Sequence, residues 1–442
     1  MKNQLDTELL SSASKILGNL SWLIIERLFA LPMVLIVNIA IARDLGASLF
    51  GTLNYLLAIT SIIPPLAALG LNSIIIRELS GAGSAKDEAR ILASTLVFRL
   101  GGAAVGCLLS FLLLPYLRIP GDQVYLYVLL VLSNSFYFLQ LFDFWFQYKV
   151  KSAPVSRCKI YIVIAFSILK LAALWLGHGL EAIVVLQSVE LVAVNLSYAI
   201  LYRLYSGALD LRLANTSYGV SLLKQSYWLI LSGVAAVVYL KVDQFMLGQM
   251  LGSVEVGVYS AAARLSEVWY FLPVAIVQSF FPRLLEIERI DGNAYRHSLQ
   301  KICDLLLVIA FVLAVLASFY SELIIGIVYG EQYSGSAMVL AVHIWAGVFV
   351  FMRALLSKWL IAEKLLFYSF VTQGVGALAN VLLNLVLIPD YGVVGSAFAT
   401  LLSYAGASYF SLFLSRKTMP MARIMTCSLM LIPTLGRRYW VR

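Results

Sequence analysis

The chain has 442 residues, 61% hydrophobic and 12% charged, with 32 Lys and Arg against 23 Asp and Glu and a mean hydropathy of +0.90. No water-soluble domain of this size keeps so much apolar surface from solvent, and runs of about 20 apolar residues suit helices that cross a bilayer. They are too long and uniformly apolar for barrel strands of about 10 residues, and four scattered cysteines and three scattered histidines give no disulfide or metal spacing.

Twelve membrane helices are predicted, at 20–42, 49–69, 91–114, 122–146, 158–178, 181–204, 222–247, 256–281, 302–327, 336–361, 366–388 and 392–415. The opening MKNQLDTELL lacks the apolar core and cleavage site of a signal peptide, so the first helix is expected to stay as an anchor. Segment 421–435 is too short and too marked by Pro and Gly to count as a span. The expected organisation is a cytoplasmic segment 1–19, a first lobe 20–204, a linker 205–221, a second lobe 222–415 and a basic tail 416–442. No soluble domain is inserted, as is usual for transporters and channels.

Basic residues fix the orientation. Of the 32 Lys and Arg, 24 fall at the N-terminus, at every second gap or in the tail, and only Arg43 and Arg118 fall in the alternate gaps. The positive-inside rule places both termini in the cytoplasm. The basic excess matches anionic lipid at that face and does not call for nucleic acid.

Leu45-Gly46-Ala47-Ser48-Leu49-Phe50-Gly51 follows the first helix, and Leu251-Gly252-Ser253-Val254-Glu255-Val256-Gly257 follows the seventh, 206 residues later. Both read L-G-x-x-x-apolar-G, and both sit in outer gaps. Six helices separate equivalent positions, so the halves share one orientation, as in transporters with parallel repeats.

Several stretches carry a family resemblance: Ala42-Arg43-Asp44-Leu45-Gly46 with Phe50-Gly51 and Tyr55; Gly70-Leu71 before Arg77-Glu78; and Phe142-Asp143-Phe144-Trp145-Phe146-Gln147 with Lys149. Further along stand Asp243-Gln244-Phe245-Met246-Leu247, Gly257-Val258-Tyr259-Ser260-Ala261-Ala262, Arg264-Leu265, Trp269, Phe281-Pro282 and Pro389-Asp390-Tyr391-Gly392 with Gly395-Ser396-Ala397. Together they resemble the polysaccharide transporter family, the O-antigen flippases of the multidrug/oligosaccharidyl-lipid/polysaccharide exporter superfamily. The chain departs from relatives with fourteen helices in being short after Arg416. The resemblance implies an all-α polytopic membrane protein of two six-helix lobes in a V around a central cavity. It implies translocation of an undecaprenyl-diphosphate-linked oligosaccharide across the bacterial inner membrane. A polysaccharide polymerase and a chain-length regulator are implied as partners, beside membrane lipid and a driving ion, H⁺ or Na⁺; no cofactor is expected.

Six basic residues fall more than three residues inside the predicted spans: Arg27, Arg99, Lys170, Lys241, Arg264 and Arg353. Acidic companions are Glu26, Asp143, Glu190, Asp243 and Glu267. A mid-membrane charge costs roughly 2.5–3.5 kcal/mol on insertion scales, so such residues face a cavity or a partner. Arg99, Lys170 and Arg264 lie deepest, about 12–18 Å along their helices, whereas Arg27, Lys241 and Arg353 are near enough to an end to snorkel. A lipid diphosphate is anionic, and Arg matches phosphate oxygens bidentately. Arg27, Arg99, Lys170, Arg264 and Arg353 are therefore candidate cavity charges, although Arg264 and Glu267, at i and i+3, also suit an internal pair. Gln140, Asp143 and Gln147 on the fourth helix, and Gln373, Asn380 and Asn384 on the eleventh, suit a sugar-lined path or simple interhelical bonding. Asp243, with Glu267, is a candidate gate or coupling group: paired with Arg264 across helices, or taking up a proton.

Two other functions compete. A drug or cation antiporter of the same fold needs an acidic cavity, and basic residues inside the spans outnumber acidic ones here. A polysaccharide polymerase is expected to carry a large outer loop with catalytic groups, and this chain shows neither.

Overall fold

The computed structural model describes residues 2–431, with the side chains of 2–21, 23–25, 27, 28, 73, 282 and 289 left aside. Among these residues every regular element is helical. The chain forms two compact units: residues through Leu45 with Ile59–Val234, and Gly46–Ala58 with the chain from Ala235 onward.

The first unit takes the start of α1 (Lys2–Thr60), then α2 (Ile63–Ala68), α3 (Asn72–Ser80), α4 (Ala85–Leu113), α5 (Val124–Ser135), α6 (Leu141–Tyr148), α7 (Ala153–Trp175), α8 (Leu180–Ser206) and the first part of α9 (Thr216–Met250). The second holds the rest of α9, α10 (Ser253–Glu267), α11 (Phe271–Ile290), α12 (Gly292–Phe319), α13 (Ser321–Val328), α14 (Ser336–His343), α15 (Ala346–Ala362), α16 (Leu366–Ser408) and α17 (Met419–Leu429). Nine helical stretches among the described residues are long and apolar enough to cross a membrane. The chain is therefore an all-α, multi-pass membrane protein.

α4 shows the inside-out logic of such a protein. Its buried face carries Ser94, Thr95, Arg99, Gly102, Ala103, Gly106 and Ser110. Its exposed face carries Val97, Leu100, Val105, Leu108 and Leu112. Large apolar chains suit lipid, and small residues let helices approach: a Cβ on Gly102 would stand 2.3 Å from the Leu66 carbonyl oxygen of α2. An aromatic and aliphatic core around Leu71, Leu92, Trp145 and Tyr202 holds the first unit together. A second core around Leu306, Phe351, Leu355 and Met425 holds the other.

Helix limits differ from the hydropathy reading where polar first turns continue a helix. α4 starts at Ala85 rather than 91, because the Ser84 side chain accepts from the Asp87 amide. α12 starts at Gly292 rather than 302, with the Asp291 side chain accepting from the Asn293 amide. α1 and α16 each consist of two helices that break at Gly46 (φ 73°, ψ 172°) and Gly392 (φ 56°, ψ −137°), where the backbone leaves the helical region. Left-handed φ favours glycine, so these two residues let one chain segment reverse without a long loop. The predicted eighth span, 256–281, is interrupted by a 3₁₀ turn, Val268–Tyr270, between α10 and α11. The expected basic tail contains α17, which buries Met421, Ala422, Met425 and Ser428 in the second unit's core. Residues 432–442 lie outside the described chain.

Candidate functional site

One carboxylate of the second unit ties α9, α10 and α16 together. Asp243 of α9 is 2% exposed. Asn384 donates to its Oδ1 at 2.7 Å. Thr400 donates to its Oδ2 at 2.9 Å and Tyr259 at 3.0 Å. Asn384 and Thr400 lie on opposite sides of the Gly392 turn, so the fold-back of α16 brings both onto α9. The turn is tight enough that a Cβ on Gly395 would stand 2.2 Å from the Leu387 carbonyl oxygen. Asn384 also donates to the Asn380 carbonyl at 3.0 Å, and Asn380 donates to Ser403 at 3.2 Å. Asn384 Oδ1 and the Ser396 hydroxyl have no hydrogen-bond partner among the described residues. The carboxylate thus accepts three hydrogen bonds from neutral groups, with Lys241 of the same helix in electrostatic reach.

Among the described residues no ion pair joins Asp243 to Arg264, contrary to the expected pairing. Geometry explains the correction: Tyr259, Thr400 and Asn384 occupy the carboxylate. Arg264 is half-buried, its Nε without a partner. Arg264 and Glu267 share a helical face, yet no ion pair joins them among the described residues. His343 is buried and contacts the Ser266 hydroxyl at 3.0 Å.

The other candidate charges divide by partner. Arg99 is wholly buried; its Nη2 donates to the Tyr137 carbonyl at 3.4 Å, and its Nε and Nη1 have no partner among the described residues. That carbonyl lies in the 3₁₀ turn Phe136–Gln140, where the fourth span is interrupted. Lys170 makes an ion pair with Glu190 at 2.5 Å and donates to Gln187 at 2.7 Å. The lysine is thus compensated inside α7 and α8 rather than left as a free charge, an acid on the neighbouring helix replacing the one missing from its own turn. Arg353 donates to Thr372 at 2.7 Å and to the Ala407 carbonyl at 3.2 Å, bridging α15 and α16. The Arg27 side chain lies outside the described residues.

In the first unit Glu26 accepts from Ser156 at 2.8 Å and pairs with Lys159 at 2.5 Å. Gln147 donates to Asp143 at 2.9 Å, and Gln140 keeps an unpartnered Oε1. Gln373 is half-buried on α16. Sequence reasoning missed Tyr259, Thr400 and Ser403, which only the tertiary fold brings to Asp243. It also missed Asp304, a buried carboxylate that accepts from Gln300 at 2.9 Å and Ser428 at 2.6 Å. The signal there was a lone acid within the apolar run of α12.

Residues 16–288, more than half of the chain, match the family model described as polysaccharide biosynthesis protein. Two Haloferax volcanii proteins are similar: "Probable low-salt glycan biosynthesis flippase Agl15", 26% identical over 211 residues, covering 45% of this chain and 43% of that protein; and "Probable flippase AglR", 26% identical over 243 residues, covering 54% and 49%. The chain spans about half the length of the curated relatives it matches. The solved structure "Lipid II flippase MurJ, inward closed conformation" superposes with a TM-score of 0.71 at 16% identity, covering 95% of this chain and 92% of that one. At that identity the likeness concerns the fold.

Proposed function

Because the chain belongs to the polysaccharide biosynthesis protein family, we propose that it is a flippase carrying an anionic, lipid-linked oligosaccharide across the inner membrane by alternating access. The protein is organised as two six-helix lobes with both termini cytoplasmic. Reporter fusions after Arg118 and after Lys301 report opposite sides under this topology, and a shared side rejects it. The observation that carries the substrate class is Arg264. A half-buried guanidinium with an unfilled donor suits a diphosphate, which matches it bidentately and restores its lost hydrogen bonds. Arg99 adds positive potential in the first unit.

Asp243 is the coupling group. A buried carboxylate held by two hydroxyls and an amide NH₂ suits uptake of H⁺ or Na⁺, with the unpartnered Asn384 Oδ1 a further oxygen for a hard cation. Uptake of the cation neutralises the charge and relaxes the demand of Asp243 on Asn384 and Thr400, two groups on either side of the Gly392 turn. The same centre supports a second reading, a cation antiporter. Surface glycan in a flippase-deleted host separates the two. Under the flippase reading the wild-type chain restores it, Arg264→Ala reduces it at least tenfold at equal protein level, and Arg264→Lys is intermediate. Drug resistance without glycan rescue assigns the chain to the antiporter class.

A further inference from the structure

Lys241 of α9 is half-buried and takes part in no hydrogen bond or ion pair among the described residues. An ionisable group inside a membrane protein ordinarily faces a cavity or a partner. Asp243 stands two residues along the same helix on a different face, so the two side chains do not meet along α9. On the neighbouring α10, Arg264 and Glu267 share one face, three residues apart. Glu267, Arg264 and Asp243 all act on Lys241 through space. The lysine therefore stands between two centres, the carboxylate proposed to take up a cation and the arginine proposed to meet a diphosphate. α10 ties these centres together: its Tyr259 donates to Asp243 at 3.0 Å, and its Arg264 holds an Nε without a partner among the described residues.

Resting on the flippase reading for the cargo and on Asp243 for the cation, we propose that Lys241 is a counter-charge shared by the two centres, which makes anionic cargo and driving cation bind together rather than in exchange. Charge balance carries it. Lys241, Arg264, Asp243 and Glu267 sum to zero. A diphosphate diester alone leaves the group negative, and a cation alone leaves it positive. Opposite charges added to one site of low dielectric favour each other. Lys241 brings this coupling to short range. Its ammonium is a compact charge on a flexible stem, whereas the Arg264 guanidinium presents a rigid fork to phosphate oxygens. With no cargo, the field of Lys241 opposes a cation at Asp243. A phosphate set between Lys241 and Arg264 draws the ammonium toward itself and brings negative charge near Asp243. Both changes raise the affinity of the carboxylate for a cation, and by reciprocity the cation raises the affinity for phosphate by the same factor. Asn384 Oδ1, unpartnered beside the carboxylate among the described residues, gives a metal cation an oxygen that a proton on Asp243 does not use.

The test uses the full chain in lipid nanodiscs, radiolabelled Na⁺ as the cation, and tetramethylammonium pyrophosphate as the anion probe, with tetramethylammonium chloride holding the ionic strength constant. In the wild type, saturating pyrophosphate tightens Na⁺ about tenfold, and Na⁺ tightens pyrophosphate by the same factor. Lys241→Met binds Na⁺ about threefold tighter than the wild type before any pyrophosphate is added, because the opposing field is gone. Its response to pyrophosphate falls below about threefold, and Lys241→Arg retains the full response. Pyrophosphate that weakens Na⁺ binding in the wild type shows exchange and overturns the proposal. An equal response in Lys241→Met and the wild type overturns it too, as does a wild type that binds no Na⁺. Surface glycan in a flippase-deleted host separates the two readings. Rescue of glycan without coupling keeps the flippase and discards the role of Lys241, whereas coupling without rescue keeps that role and discards the cargo.

Discussion

Both units bury carboxylates, and the ion pairs of the first contrast with the neutral donors around Asp243 in the second, although Asp143 of the first is likewise held by a neutral group, Gln147 at 2.9 Å. In the first, Glu26 meets Lys159, and Glu190 meets Lys170. In the second, Asp243 accepts its hydrogen bonds from the neutral donors Asn384, Thr400 and Tyr259, and Lys241 acts on it through space without a hydrogen bond among the described residues. An ion pair fixes the charge of both partners, and replacing the whole pair by apolar groups is often neutral or stabilising. A carboxylate held by neutral groups keeps its net charge in a low dielectric. It is stabilised whenever a cation or proton arrives, and a centre that changes charge through a cycle needs that property. The proposed division is therefore scaffold for the first unit's ion pairs and cation uptake for Asp243.

The largest expected effect lies in the second unit. Asp243→Asn preserves shape and removes charge, so export falls to the level of a host without any flippase while the thermal unfolding midpoint moves little. The charge swap Asp243→Arg with Arg264→Asp restores nothing, because no pair exists there to be reversed. Near-normal glycan with Asp243→Asn erases the contrast between the two units.

Much of this was legible beforehand, and the reasons are physical. Lipid demands long apolar helices, so composition gave the class. Gly46 and Gly392 were readable as breaks because few other residues tolerate their φ. Asn380 and Asn384 announced themselves by sharing a helix face. Their meeting with Asp243 did not, since it spans 141 residues and depends on how α16 folds back. The partner of Lys170 was hidden for a related reason. A search within one helical turn finds no acid, and Glu190 is supplied by the next helix. Asp304 escaped notice because a single acid in an apolar run has no pattern, and its partner Ser428 belongs to a helix read as tail.

The next effect sharpens the scaffold side. Lys170 and Glu190 side chains are 7% and 13% exposed, so Lys170→Met alone leaves an uncompensated carboxylate and costs about 3–5 kcal/mol of stability. Adding Glu190→Leu returns most of that loss. Export per folded molecule stays within about twofold of wild type in the double variant, as measured by glycan yield normalised to detergent-stable protein. If the double variant is stable and inactive, Lys170 is a transport residue, and the first unit carries function as well as structure.

The smallest effect is at Glu26 and Lys159, where the comparison makes its finest distinction. The side chains are 11% and 35% exposed, so water screens this pair far more than Lys170–Glu190, and a double-mutant cycle of Glu26→Gln and Lys159→Gln gives a coupling of about 0.5–1 kcal/mol. The neutral pair still bonds through its amides, and Ser156 still donates to residue 26, so neither single variant loses its fold. Raising salt from low to about 1 M, where the screening length shrinks to about 3 Å, lowers the coupling further without changing export. A coupling of about 3 kcal/mol or more, insensitive to salt, shows the pair to be closed to water and moves Glu26 into the same structural class as Glu190. An export defect in Glu26→Gln that tracks pH, with the unfolding midpoint unchanged, gives the first unit a titrating carboxylate of its own, and the division of labour between the two units falls.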